Sequence, residues 1–402
     1  MFQNFFSYTL LLLLTLAGIF GYYHYTDTIS AQKDAGILEV KAKVISIDNS
    51  DVRVSSLSSL GTQELEVQIL EGRFKNRTLT ATYNLIGQMD LENNFKADDT
   101  IIVAIITDSG KITHVKAVEL YRQDVLIYLF AIFVLALLLY AGTIGIKALI
   151  SFVLTVFILW EFLIKLILAG HDPIQITSYT LMLLSGVIIF LVAGFNRKGT
   201  SAFLGTLGGL FITLGVTFIF GDKVGLHGLT QPYVTVLLFS GYSNLNIQEI
   251  LYSAILLGAS GAAMDIAMDI AASMDEIYRK KPEIKPIELM QSGFTVGRHV
   301  IGTMATTLLL AYSGGYFTLL MVFRIKEPSI MRMINLKIVA AEIVRTLIGS
   351  IGLVLVAPLT AIIGAVIITG VLKPLWRLKK PVLPIKNQRA SNTAIFCADP
   401  KE

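Results

Sequence analysis

Residues 121–142 read YRQDVLIYLFAIFVLALLLYAG, and the fold turns on how this stretch is read. A polar cluster, Tyr121 to Asp124, gives way to an uncharged apolar run that begins at Val125. A helix rising about 1.5 Å per residue crosses a hydrocarbon layer about 30 Å thick in about 20 residues. Comparable runs follow at about 148–168, 178–195, 202–220, 249–273, 296–322 and 347–372, each long enough to span on the same criterion. The second part of the chain therefore predicts a bundle of about seven spanning helices.

Upstream of Tyr121 the periodicity changes. Leu38, Val40, Ala42 and Val44 alternate with Glu39, Lys41 and Lys43, the pattern of a half-buried strand. The same period recurs at Leu65, Val67 and Ile69 and at Leu79, Ala81 and Tyr83. Ile101 to Ile106 is apolar throughout and leads into an Asp108-Ser109-Gly110 turn. About five or six strands predict a small all-β barrel over residues 24–123, with an OB-like fold as the candidate. No basic aromatic stacking surface accompanies it, so fold analogy carries no nucleic-acid function.

Before the barrel, Ser7 to Tyr23 forms a leucine-rich run, read as an uncleaved N-terminal anchor, although its length is also near that of a signal-peptide core. The expected organisation is an anchor at 1–23, an extracytoplasmic β domain at 24–123, a seven-helix bundle at 124–373 and a basic cytoplasmic tail at 374–402. This is an α-helical polytopic membrane protein of about eight transmembrane helices carrying a small β domain.

Composition agrees. The 402 residues are 54% hydrophobic and 15% charged, more apolar surface than a soluble domain can bury. The net charge of +4 is concentrated in short segments between apolar runs, which reads as topology signal rather than a nucleic-acid footprint. The single cysteine, Cys397, stands in the polar tail, so the β domain folds without disulfides.

Lys147, Arg197-Lys198, the Arg279 to Lys285 cluster and the Lys373 to Arg389 tail fall on one side of an alternating bundle, which the positive-inside rule makes cytoplasmic. Arg324, Lys326, Arg332 and Lys337 fall on the other side, and 329–345 is accordingly expected to form an interfacial amphipathic helix. Residues 233–239 are apolar but too short to span, and read as a re-entrant or interfacial piece of a long loop.

An ionisable side chain inside hydrocarbon marks a functional position. The sixth helix holds Asp265 and Asp269, four residues apart and hence on one face. Gly258, Ser260, Gly261, Ala262 and Ala263 just before them permit close helix approach. Met264 and Met268 share the spacing and read as packing. Two like charges at that spacing, partly desolvated, favour proton exchange or a held cation. The bland alternative leaves Asp269, and less readily Asp265, solvated near the helix end.

On the next helix Thr306 and Thr307, with Thr303, are candidate hydrogen-bond partners. Back-bonding to their own helix competes. Arg298 reads as a topology residue that also lies near the site. Glu161 with Lys165 and Glu342 with Arg345 are explained by local pairing, and His171-Asp172-Pro173 by a loop turn.

The run GASGAAMDIAMDIAASMDE at 258–276, with Gly349-Ser350-Ile351-Gly352 and Pro358-Leu359-Thr360, resembles the YibE/F family of bacterial membrane proteins. The N-terminal helix and outer domain resemble its longer, YibE-like member. The resemblance implies a bacterial plasma-membrane location and a shorter YibF-like paralogue, or a second copy, as partner beside the lipid bilayer. Gly261-x-x-x-Asp265, Glu276, Gly293-Phe294 and Thr306-Thr307 are also distantly similar to the Asp-bearing helix pair of SecD/SecF and the resistance-nodulation-division permeases, a likeness that carries Asp265 alone.

These readings converge on a transport or export component coupled to protons or ions through Asp265 and Asp269. The alternative is a non-transporting scaffold or receptor whose β domain recruits a partner. Carboxylates on one helix cannot face each other to share a proton as an aspartyl hydrolase requires, so no enzyme, cofactor or metal centre is expected, and no nucleic-acid partner.

Overall fold

The structure, a computed structural model, describes residues 37–54, 59–87, 92–108, 111–326 and 329–370. The expected anchor at 1–23 and tail at 374–402 lie outside them. The chain divides into two compact units, Met1–Val153 and Leu154–Glu402.

The first unit holds strands β1 (Ile37–Asp48), β2 (Arg53–Val54), β3 (Ser59–Ile69), β4 (Thr78–Ile86), β5 (Thr100–Asp108) and β6 (Lys111–Leu120). β1 pairs with both β3 and β5, which closes the ring β1-β3-β4-β6-β5 into a five-stranded barrel, with β2 an appendage of β3. Every pairing is antiparallel except β4 with β6. Register shifts at Val44/Ser46 on β1 and in the β5–β6 pair bend the strands, as closure of so small a barrel requires.

The alternation seen in the sequence is the inward face. Ala42 and Val44, Leu65 to Ile69, Ala81 and Tyr83, and Ile101, Val103 and Ile105 are buried together. Phe95, in the connection before β5, plugs the barrel edge-on to Tyr83 with ring centroids 4.9 Å apart. At the barrel's exit Lys41 of β1 pairs with Asp124 at 3.0 Å and lies over the Tyr121 ring, while the Tyr121 hydroxyl donates to the same carboxylate. That carboxylate holds the Lys41 ammonium above the ordinary lysine range, so the junction persists through neutral pH and is lost as pH rises past that range or as acid protonates Asp124.

From Asp124 the chain enters α1 (Gln123–Phe157), which runs through a π-helical segment (Ile158–Ile164) into α2 (Lys165–Leu168). α1 is not straight. Gly142 has φ 52° and ψ −123°, and Phe130 and Phe152 stack with centroids 6.1 Å apart. On a straight helix those residues would be separated by about 33 Å. The chain therefore reverses at Gly142, a backbone conformation open to glycine. The two runs expected at 125–142 and 148–168 are the arms of this hairpin. Glu161 and Lys165 pair across the π-helical segment as expected.

The second unit continues with α3 (Pro173–Ala193), α4 (Arg197–Val224), α5 (Val234–Phe239), α6 (Ile247–Lys280), α7 (Pro286–Gly315), α8 (Phe317–Lys326), α9 (Ile330–Ile334) and α10 (Lys337–Thr369). Asp172, Asn196 and Asn246 cap α3, α4 and α6 by accepting from the backbone N–H three residues on. His171-Asp172-Pro173 is thus a helix start, with the proline in the first turn. The apolar stretch at 233–239 is the short α5, as its length required.

Two expectations are corrected. Residues 329–345 do not form one helix of their own: α9 ends at Ile334, and α10 begins at Lys337 and carries Glu342 and Arg345 inside it. The run at 296–322 is not one straight helix either. It is the bent pair α7 and α8, at 72° to each other. Among the described residues five helices are long and apolar enough to cross a membrane, Gln123–Leu168, α3, α4, α6 and α10, or six with the bent pair.

The bundle is built on a seam between α4 and α10. Ser201, Gly205, Gly209, Thr213, Thr217 and Gly221 recur every fourth residue on one buried face of α4. A Cβ on Gly209 would lie 1.9 Å from Val356 Cγ2, one on Gly205 2.1 Å from Thr360 Oγ1, and one on Gly352 2.0 Å from Thr213 Oγ1. Such backbone approach places many atoms of the two helices in van der Waals contact, each pair contributing a little. Thr213, Thr217 and Thr360 donate to carbonyls four residues back on their own helices, so their buried hydroxyls are satisfied locally.

Gly209→Ala is expected to destabilise the folded protein by about 1–3 kcal/mol through overpacking, while Gly215→Ala on the same helix, facing open space, is neutral or stabilising. Thermal unfolding in detergent reads the difference. In a Cys397→Ser background, Phe130→Cys with Phe152→Cys is expected to be bridged within one chain by a short bifunctional thiol crosslinker, and adding Gly142→Ala to suppress it. Mobility on non-reducing gels checks this.

Candidate functional site

α6 carries the site. On the side toward the bundle, Ala259, Ala263, Ile266, Ala267, Ile270, Ala271 and Met274 are buried against α4, α10 and α7. Because the helix repeats every 3.6 residues, the residues between them form a second stripe pointing the opposite way. That stripe is Gly258, Gly261, Asp265 and Asp269, all exposed on the single chain. Asp265 stands near the middle of α6, about 27 Å from Ile247 and about 22 Å from Lys280.

The i,i+4 spacing thus does bring the two carboxylates to one face, where each is the other's electrostatic neighbour. Among the described residues neither has a hydrogen-bond or ion-pair partner. The glycines sit differently from the expectation. Ser260 and Ala263 meet the rest of the bundle, whereas Gly261 faces open space and Gly258 lies beside it on the outward stripe. Met264 and Met268 pack against the core, as their spacing implied.

The α6–α7 register is fixed by two glycines. A Cβ on Gly293 would meet Met274 Sδ at 2.7 Å and Ala361 at 2.9 Å, and one on Gly297 would meet Ala357 at 3.1 Å and Ile270 at 3.3 Å. Extended along the antiparallel pair, this register sets Asp269 level with Arg298, Asp265 with Gly302, and Gly261 with Thr306. The candidate residues share one band of depth without touching. Thr303 donates to the Val300 carbonyl and Thr307 to that of Thr303, so the back-bonded alternative holds for both. Thr306 is exposed. Arg298 turns toward α10 instead, lining a cavity of about 290 Å³ with Phe294, Gly297, Ile301, Ala357 and Pro358.

Beyond Asp269 the helix becomes ordinary surface. Asp275 pairs with Arg279 at 3.0 Å and Glu276 with Lys280 at 3.5 Å, each four residues apart. At the opposite end Tyr252, buried, donates to Asp222 at 2.9 Å, and Gln248 donates to both. This clasp ties the start of α6 to the end of α4, where a Cβ on Gly221 would collide with the Tyr252 hydroxyl. The sequence reading passed over Tyr252 and Asp222; the cue was Gly221, the last small residue of the α4 stripe. Among the described residues no group of three or more His, Cys, Asp or Glu side chains is arranged to hold a metal.

A family model described as YibE/F-like protein matches residues 129–370, from within α1 to the end of α10. No curated protein and no solved structure matches the chain, and nothing in the comparisons extends the likeness to SecD/SecF or the resistance-nodulation-division permeases. The match takes in the Asp265–Asp269 helix, its α7 neighbour and the glycine seam beneath them, and the chain belongs to the YibE/F family.

Proposed function

We propose that this chain is a proton- or cation-coupled membrane transport or export component in which Asp265 is the coupling carboxylate and Asp269 assists. The observation that supports the reading is the direction of the pair. Both carboxylates stand on a membrane-length helix, back to back with the bundle core, with no hydrogen-bond or ion-pair partner among the described residues. An ionised carboxylate turned to lipid costs several kcal/mol. The pair is therefore tolerated when it carries a proton, holds a cation, or is covered by another helix, and coupling exploits passage between these states.

Gly258 and Gly261 on the same stripe let a covering helix approach closely. The covering subunit is a shorter paralogue of the family or a second copy of this chain. The arms of the Gly142 hairpin counted singly, the bent α7–α8 pair counted once and the N-terminal run together make about eight spans in the bacterial plasma membrane. The barrel lies outside. Its ring order, with one parallel pairing between β4 and β6, supports the OB-like reading.

The second reading, a scaffold that recruits a partner through the barrel, draws on the Lys41–Asp124–Tyr121 junction that fastens the barrel to α1. The two readings part on one residue. In proteoliposomes carrying the purified protein with its co-purifying subunit, Asp265→Asn is expected to abolish gradient-driven ion movement, with insertion and abundance unchanged. Asp265→Glu is expected to retain part of it, and Asp269→Asn to slow it less than Asp265→Asn. Full activity of Asp265→Asn removes the proposal. Deleting residues 24–123 separates the scaffold, which loses all function, from the transporter, which keeps Asp265-dependent flux.

A further inference from the structure

Arg298 is the counterpart of the carboxylate stripe, and its own chain leaves it alone. α3 has no Asp, Glu, Lys or Arg, α4 has none between Lys198 and Asp222, and α10 has none from Thr346 to Thr369. Between Glu249 and Asp275, α6 carries Asp265 and Asp269 alone, and α7 carries Arg298 alone between Glu288 and its end at Gly315. The long helices of the second unit thus hold, away from their ends, two carboxylates and one guanidinium.

Arg298 and Asp269 stand at one depth. Gly297 abuts Ala357 and Ile270. Ala357 lies about 17 Å along α10 from Ile368, whose carbonyl accepts from Arg197 at the start of α4. That is near the middle of a hydrocarbon layer about 30 Å thick. Asp265 is one turn farther along. Arg298 is exposed, and among the described residues it makes no hydrogen bond or ion pair. The groove it lines with Phe294, Ile301, Ala357 and Pro358 offers it no carboxylate. The N-terminal run to Tyr23 contains no Asp or Glu that could supply one.

A lone guanidinium at mid-bilayer costs several kcal/mol, as does a lone carboxylate. Within one chain the two do not meet, because Asp269 points outward from α6 while Arg298 turns toward α10. A dissolved anion would have to shed its water to reach that depth, whereas a carboxylate carried on a helix is already there. Copies related by an axis along the membrane normal keep every residue at its own depth, so the stripe of one copy meets the groove of the next in register. Gly258 and Gly261 on the stripe permit the close approach. The stripe and the groove are different faces, which makes the contact head-to-tail.

We infer that the subunit covering the α6 stripe is a second copy of this chain, with Asp269 of one copy paired to Arg298 of the next and Asp265 left as the free carboxylate. This rests on the reading that another helix covers the stripe, and it names that helix's owner and the residue it presents.

The test uses the full chain in a Cys397→Ser background, expressed in membranes as two differently tagged copies. One carries Ala272→Cys, on the stripe beyond Asp269, and the other Phe294→Cys, in the groove beside Arg298; the native charges stay in place. A short bifunctional thiol crosslinker is expected to give a product bearing both tags, and none when both copies carry Ala272→Cys or both carry Phe294→Cys. Asp269→Arg or Arg298→Asp, placed in both copies, is expected to lower the yield at least about tenfold, and the two reversals together to restore it. Thermal unfolding shows which variants fold. Absence of the two-tag product, a product formed only with a different co-purifying subunit, or a yield that folded single reversals leave unchanged overturns the inference. Where the reversals do not fold, the two-tag product on the native charges decides. Flux that depends on Asp265 without any two-tag product removes this inference and leaves the coupling proposal standing.

Discussion

The contact between α4 and α10 at Gly205, Gly209 and Gly352 governs the arrangement of everything packed on it. Lipid tails are as apolar as leucine, so helices in a bilayer gain little by hiding leucine from them; they gain by letting backbones come close. Three missing side chains, opposed by Val356, Thr360 and Thr213, supply that closeness. α6 then settles on the resulting surface through Ala263, Ala267 and Ile270, and α7 joins through Gly293 and Gly297. With the buried face of α6 spent in this way, geometry leaves Asp265 and Asp269 no direction but outward.

Much of this was legible in the sequence because its signals are periodic. The alternation at Val40 to Val44 and Leu65 to Ile69 has period two and returned as strands with one face in a closed barrel, while Leu38 at the start of β1 stays exposed. The i,i+4 spacing of Asp265 and Asp269 fixes their shared face whatever the rest of the bundle does. What the sequence withheld depends on which helix lies beside which. Apolar run lengths cannot show that the break after Gly142 is a hairpin, or that the run read as continuous over 296–322 bends by 72° after Gly315. Hydropathy also could not tell an interfacial helix from the first turns of α10, because the charges that suggested an interface, Arg324, Lys326, Arg332 and Lys337, fall on two short helices and at the very start of a long one.

The same limit applies to the candidate site. Glycines near a carboxylate announce close approach but not to what, and only the register of Gly293 and Gly297 shows that Gly261 keeps its face free. Thr303 and Thr307, the residues most available to reach a carboxylate by type, are occupied with their own helix. Type and spacing located the chemistry, then, while occupancy of each polar atom required the packed structure. Tyr252, buried beneath Asp222 and Gln248, shows the converse case of an aromatic within an apolar run whose role rests on a hydroxyl that composition cannot locate.

The inward-bonded threonines of α4 carry a last implication. Thr206, Thr213 and Thr217 lend their hydroxyls to the preceding turn, and the glycines between them leave no gap against α10. The seam is in effect a keel whose described hydroxyls are already engaged with their own helix. On the coupling proposed for Asp265, traffic would follow the outward face of α6 and leave this seam untouched.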